Sequence, residues 1–185
     1  MAFGSKLDDS ADLSDPKSLV ARAQWRQSQF QLQEARADLE AAIKAEPQMM
    51  AEEPGELLVR LVRMQGDSKD YLKILRKRAA VLPESATVLN SLAWELLESF
   101  DPKLHNPKEA LPIAQKASRL AENKKPAVLD TLAVALFRTG NVQEAVKYQK
   151  QAVQLLPADL SKARRSVYTF RLKQYEKALS ANRSK

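Results

Sequence analysis

The chain contains no cysteine. That absence excludes disulfide scaffolds, thiolate zinc sites, iron–sulfur clusters and cysteine nucleophiles. Histidine occurs once, at His105, which excludes any chemistry that needs two. Glycine is scarce, at 4 of 185 residues, and aromatics make up 6%, which argues against a fold rich in strands and tight turns. No apolar run approaches the roughly 20 residues of a membrane-spanning helix. The opening segment, MAFGSKLDDSADLSD, has no apolar stretch of signal-peptide type, so the expectation is a soluble, cytoplasmic chain with no membrane contact. Glycine-rich phosphate loops are also missing, and the carboxylates are scattered at helix-surface spacing. His105 has no nucleophile or carboxylate pair arranged around it and reads as a surface loop residue. These absences together argue against an enzyme, a metal site or a cofactor.

What is present is material for a helical core. Hydrophobic residues make up 44% and charged residues 29%, and the length suits one domain or a short repeat array. The net charge of +7 is unevenly placed. Residues 1–50 carry −2, residues 51–100 −1, residues 101–150 +4 and residues 151–185 +6. Such asymmetry is an argument about partners: an acidic protein surface, a nucleic acid or an anionic membrane could answer it, and so could solubility alone.

A search for internal periods decides the fold class. Residues 126–159 form a 34-residue unit of two amphipathic helices around a Gly140-Asn141 turn. Leu129, Leu132, Leu136, Val142, Val146, Val153 and Leu156 recur at helical spacing, and Pro157 stops the second helix. Counting from Pro126, the small residues Ala133, Ala145 and Ala152 fall at positions 8, 20 and 27, where they let the two helices approach closely. The same register carries upstream. A unit from Glu52 places Leu58, Val59, Val62, Gly66, Tyr71, Leu75 and Pro83 at positions 7, 8, 11, 15, 20, 24 and 32, with Arg78 at the small position 27. A unit from Pro16 places Ala23, Ala35, Leu39, Ala42 and Pro47 in register, with Phe30 where the turn glycine would stand. A unit from Ala86 has Leu89, Leu92, Ala93 and Leu96 on its first helix, then Ala110, Ala114 and Ala117 on a second helix shifted by five. The extra residues lie in a turn marked by Pro102 and Pro107.

This pattern resembles the tetratricopeptide repeat (TPR) family over residues 16–159, with Leu129 and Gln149 departing from the usual Trp at position 4 and aromatic at position 24. The resemblance implies an all-α fold: a right-handed TPR solenoid of about four helix-turn-helix repeats plus a C-terminal capping helix. Repeats start near 16, 52, 86 and 126, and the cap spans 160–180 with an apolar stripe of Leu160, Ala163, Val167, Phe170 and Leu179. Residues 1–15 read as a solvated acidic tail, with Ser14 or Asp15 suited to cap the first helix, and 181–185 as a second disordered tail.

In TPR proteins, positions 2, 5, 9, 12 and 13 of each first helix usually face a concave groove. Carried onto this chain, that rule selects Arg60, Arg63, Asn90, Trp94, Phe137, Arg138, Arg164, Tyr168 and Arg171 as partner-binding candidates. Aromatics among arginines are the residue types that most often dominate interface energy. A register shift of one residue would instead turn Trp94 and Phe137 onto a neighbouring helix. The two-carboxylate clamp of chaperone-tail binders is missing, since Val20 and Gln24 stand where Lys and Asn are needed. The basic run Arg76-Lys77-Arg78 falls on a second helix and reads as a solvated convex face. The resemblance implies a non-enzymatic adaptor for an acidic protein. Small basic TPR chains are also similar to kinesin light chain, which sharpens the partner to an acidic, tubulin-like filament, although kinesin-light-chain repeats are longer and no coiled coil is present. RNA binding is the alternative: the pI near 9.6 permits it, while Glu53, Glu56, Glu98 and Asp130 among the arginines oppose it.

Overall fold

The structure, a computed structural model, describes residues 15–183, with the side chain of Arg183 left out. The acidic segment expected over 1–15 therefore lies outside the described residues apart from Asp15, as do 184–185 of the expected C-terminal tail. Every regular element among the described residues is helical. The chain divides into two compact units, residues 1–82 and 83–185.

The first unit holds α1 (Pro16–Ser28), α2 (Leu32–Ala45), a short 3-10 helix (Pro47–Met50), α3 (Glu53–Gln65) and α4 (Ser68–Val81). Asp15 caps α1, its carboxylate accepting from the Ser18 N–H at 2.9 Å, and Pro16 follows at the first helical position, where no donor is needed. Asp67 caps α4 in the same way through the Asp70 N–H. Ala23, Ala35, Leu39, Leu57, Leu58, Leu61 and Val62 form one core in which the alanines have no exposed area. Gly66 ends α3 in the left-handed conformation, φ 78°. Phe30, at the equivalent turn after α1, adopts φ 61° without the freedom that glycine has, and its ring is 83% exposed. Gly55 is required for another reason. A Cβ there would stand 2.1 Å from the Met50 carbonyl oxygen, so the 3-10 helix rests directly on the α3 backbone.

Charge enters this core. Arg22 and Arg26 of α1 both donate to Asp38 of α2, Arg22 in a two-pronged bond at 2.9 and 2.5 Å and Arg26 at 2.8 Å. Arg36 bridges Glu40 and, at 2.7 Å, Asp70 of α4. Arg78 corrects the sequence reading. It is buried, not solvated, donating to the Glu52 carbonyl and standing 3.8 Å from the Glu56 carboxylate. A long side chain fills the close-approach position that alanine fills elsewhere, and burial lowers its pKa, opposed by Glu56. Arg76 and Lys77 remain exposed.

The second unit holds α5 (Ala86–Glu98), a 3-10 turn (Pro102–Leu104), α6 (Pro107–Leu120), α7 (Pro126–Arg138), α8 (Val142–Gln154) and α9 (Lys162–Arg183). Ala93, Ala110, Ala114, Ala117, Ala133, Ala145 and Ala152 are fully buried at the helix contacts. The pairs α5–α6 and α7–α8 pack tightly, α6 packs on α7, and α8 on α9. The long turn after α5 keeps the geometry of the short ones. The Asn106 N–H donates to the Leu96 carbonyl at 2.8 Å, as Asn141 does to Leu136 at 2.8 Å and Gln31 to Arg26 at 2.9 Å. In each case the residue before the second helix bonds to position 11 of the first, so the inserted residues lie within the loop that this bond closes. His105 helps to hold the loop. It is half-buried, its Nε2 2.9 Å from the Ser99 carbonyl, so it is not the simple surface residue expected.

The capping helix departs from expectation in face and length. The stripe expected to face inward is Leu160, Ala163, Val167, Phe170 and Leu179. Val167 and Phe170 instead point out, 46% and 60% exposed. The packed face is Tyr168, Leu172, Tyr175 and Leu179, which recur at helical spacing just as well. The helix carries two apolar stripes, and the one with two tyrosines, offering more area to bury, takes the body of the unit. α9 also runs on to Arg183, past the expected end at 180.

Candidate partner-binding face

In the first unit, Arg60 and Arg63 stand three residues apart on α3, both exposed and without an ion-pair partner among the described residues. Glu56, one turn before Arg60, leans toward Arg78, and Glu53 accepts from Gln24. The guanidinium groups are thus left to solvent.

The other seven candidates belong to the second unit, and most of them meet. Asp130 of α7 is buried and accepts from Gln149 of α8 at 2.7 Å and from Arg171 of α9. Gln149 is fully buried, and its amide also donates to the Tyr168 carbonyl at 3.1 Å. The Arg171 guanidinium carbon lies 5.0 Å from the centroid of the half-buried Trp94 ring on α5. This is cation–π distance. Burial pushes the Asp130 carboxyl up, opposed by Arg171 and the Gln149 hydrogen bond. Phe137 stacks on Tyr175, ring centroids 4.3 Å apart, and burial pushes the Tyr175 phenol up to about 12. Tyr168 is raised for the same reason. Arg138 donates to the Glu98 carboxylate and to the Leu97 carbonyl at the end of α5, and approaches His105 Nδ1 at 3.5 Å.

Three kinds of candidate are therefore distinguished. Arg138 and Arg171 are engaged within the unit, and with them the carboxylates of Glu98 and Asp130 are neutralised. Phe137 and Tyr168 are half-buried, Phe137 under the Tyr175 ring of α9. Trp94, Asn90 and Arg164 are the remainder. Asn90 lies one turn before Trp94 on α5, and its side-chain oxygen is buried without a hydrogen-bond partner among the described residues. Arg164 is exposed on the first turn of α9, with no ion-pair partner there either.

Sequence reasoning missed Tyr175 and the role of Gln149. A signal existed for the second, since a glutamine at a position normally aromatic needs a polar partner in the core. Phe100 was also missed as a surface feature. It tops the long turn, 97% exposed, held by the Asp101 cap on Lys103 and the His105 contact. Among the described residues no three His, Asp or Glu side chains are grouped to hold a metal ion, and no helix is long and apolar enough to cross a membrane.

Stacked helix pairs with small residues at their contacts, and a face of aromatic and arginine side chains, define a helical-repeat protein of the interaction type. Residues 3–158 match the tetratricopeptide repeat family model, and the chain belongs to that family. Solved structures agree in fold. YrrB, described as a TPR protein with an unusual peptide-binding site, superposes with a TM-score of 0.70 at 19% identity, over 92% of this chain and 80% of YrrB. MamA from Desulfovibrio magneticus RS-1 gives 0.63 at 16% identity, over 92% and 93%. The thermophilic TPR protein TTC0263 of Thermus thermophilus gives 0.54 at 16% identity, over 89% and 82%. No curated protein matches the chain by sequence.

Proposed function

We propose that the chain is a non-enzymatic adaptor that holds an acidic protein segment on the concave positions of its first helices. Trp94 carries this reading. A tryptophan left half-exposed on a helix face, with a guanidinium stacked over it, is an anchor of the kind that dominates interface energies. Within its own unit Arg164 is a cation that no described carboxylate answers, and Arg60 and Arg63 are such cations in the first unit. Arg138 and Arg171 act differently: they hold the face in shape. The peptide-binding site ascribed to YrrB is a precedent for peptide capture on this fold. In its finer form the partner is an acidic filament of tubulin type in the cytoplasm, a reading that rests on the net charge of +7.

RNA is the competing ligand, and one observation favours it. Glu98 and Asp130, which would repel phosphate, are each paired with an arginine. The test is affinity capture with and without nuclease, comparing the wild type with Trp94→Ala and with the triple variant Arg60→Glu, Arg63→Glu, Arg164→Glu. An acidic protein retained after nuclease and lost in both variants supports the adaptor. Capture that disappears with nuclease supports RNA. A partner held equally by the variants removes the concave face from the binding site.

A further inference from the structure

The outer face of α9 is a second surface, which shares only Arg164, at its edge, with the candidate positions described above. Ala163, Val167 and Phe170 lie on it at helical spacing, all exposed. In the repeat register Val167 and Phe170 occupy positions 8 and 11. The same positions hold Ala23 and Arg26 in α1, Val59 and Val62 in α3, Ala93 and Leu96 in α5, and Ala133 and Leu136 in α7, and all of these are buried or half-buried. In those four helices the following helix of the pair packs alongside: α2, α4, α6 and α8. α9 has no such neighbour among the described residues. The four first helices end after 13 residues, whereas α9 runs for 22. A terminal helix that only met solvent would carry a polar outer face. This one carries a valine and a phenylalanine.

The charges around the seam state what could cover it. Lys162, Lys173 and Lys177 are exposed along one flank and Arg164 along the other. The one acidic residue of α9, Glu176, is turned toward α8, where it pairs with Lys150 at 2.9 Å. We infer that the outer face of α9 is the seat of an amphipathic helix from a partner protein, one with small apolar residues along its inner stripe and carboxylates along its edges. It would stand where a second helix stands in each complete pair. Helix-on-helix docking of this kind takes its affinity from the apolar stripe and its register from the edge charges.

The chain provides its own probe. A synthetic peptide of residues 141–157 carries the inner stripe of α8, and Lys147→Glu with Lys150→Glu gives it acidic edges. Fluorescence anisotropy would follow binding of the acidic and the unchanged peptide to the full chain, and to Val167→Asp and Phe170→Asp variants. Both sites are exposed, so the variants should retain the wild-type circular dichroism and melting temperature. Expected are saturable binding of the acidic peptide, weakening by about tenfold or more in each variant, and clearly poorer binding of the unchanged peptide. Equal binding to wild type and variants, or none by the acidic peptide, would overturn the proposal. Two further measurements can overturn it by naming another occupant. Self-association in sedimentation velocity that Phe170→Asp abolishes would assign the face to a second copy. Capture by phosphatidylserine vesicles that Phe170→Asp abolishes would assign it to a lipid surface.

Discussion

In residues 16–82 the polar side chains inside the helix packing are ion pairs. Arg22 and Arg26 of α1 share Asp38 of α2, and Arg36 of α2 reaches Asp70 of α4. In residues 83–183 the corresponding layer is mostly alanine and leucine, and the buried charges are Glu95 and Asp130, the latter held by Gln149 and Arg171. The two units differ as sharply in total charge. The first has 13 basic and 13 acidic residues and the second 17 and 10, so the whole excess belongs to the second. Yet Arg60 and Arg63, which have no ion-pair partner among the described residues, are in the neutral unit, while Arg138 and Arg171 of the basic unit are engaged. Net charge therefore does not locate the face that an acidic partner would meet. Much of the surplus stands on outward surfaces such as the flank of α9.

The largest effects should come from stranding these buried cations. Asp38→Ala leaves two guanidinium groups without their carboxylate and should cost about 4 kcal/mol, against about 3 kcal/mol for Asp130→Ala, which strands one partly exposed group. Urea unfolding measures both, and a larger loss for Asp130→Ala would reverse the contrast between the units. Next, Gly55→Ala forces a methyl against the Met50 carbonyl and should cost about 2 kcal/mol or more. Hydrogen exchange should show the loss in α3 and α4, with α7 and α8 keeping their protection. If α7 and α8 exchange faster too, the units do not open separately. Phe30→Gly works the other way. It relieves a left-handed turn and should stabilise the first unit by about 1 kcal/mol, seen as a higher urea midpoint.

The smallest effect is in pH, and its sign differs between the units. The Arg36 hydrogen bond holds the Asp70 carboxyl below its usual 3.8, so its stabilisation is present above that value and is lost as pH falls through the lowered one. Asp130 is raised by burial, so its contribution favours the fold in acid and is lost as pH rises through the raised value. Stability measured from pH 6 down to pH 3 should therefore rise in Asp70→Asn relative to wild type at the acid end, and Asp130→Asn should remove a slope of opposite sign. At the alkaline end Tyr175 should cost the second unit stability between pH 10 and about 12, and absorbance at 295 nm would follow its late ionisation.

The helix pairs are legible because alanine, leucine and proline recur at fixed positions, and the left-handed turn residues Gly66, Gly140 and Phe30 fall where the register puts them. The cap is harder to read because periodicity finds stripes but not which of two faces inward. Val167 and Phe170 are as regular as Tyr168 and Tyr175, and only the surface available on α7 and α8 separates them. The chemistry around the candidate residues is not legible in the sequence. The register locates Arg138 and Arg171, but which carboxylate each meets depends on contacts 40 and 41 residues away in sequence. Arg78 illustrates the same gap, since a cation in a run of three looks solvated until the Glu52 carbonyl stands beside it.

The ring closed by the Asn106 N–H on Leu96 has a consequence for how such a chain can change over evolutionary time. Where helix placement is fixed by a bond that spans the turn, the residues between its two ends can lengthen, shorten or be exchanged without resetting the stack. Turn three is thus a natural acceptor for foreign sequence: an epitope or a recognition loop spliced in after Phe100 would ride on a frame that the neighbouring repeats already hold in register.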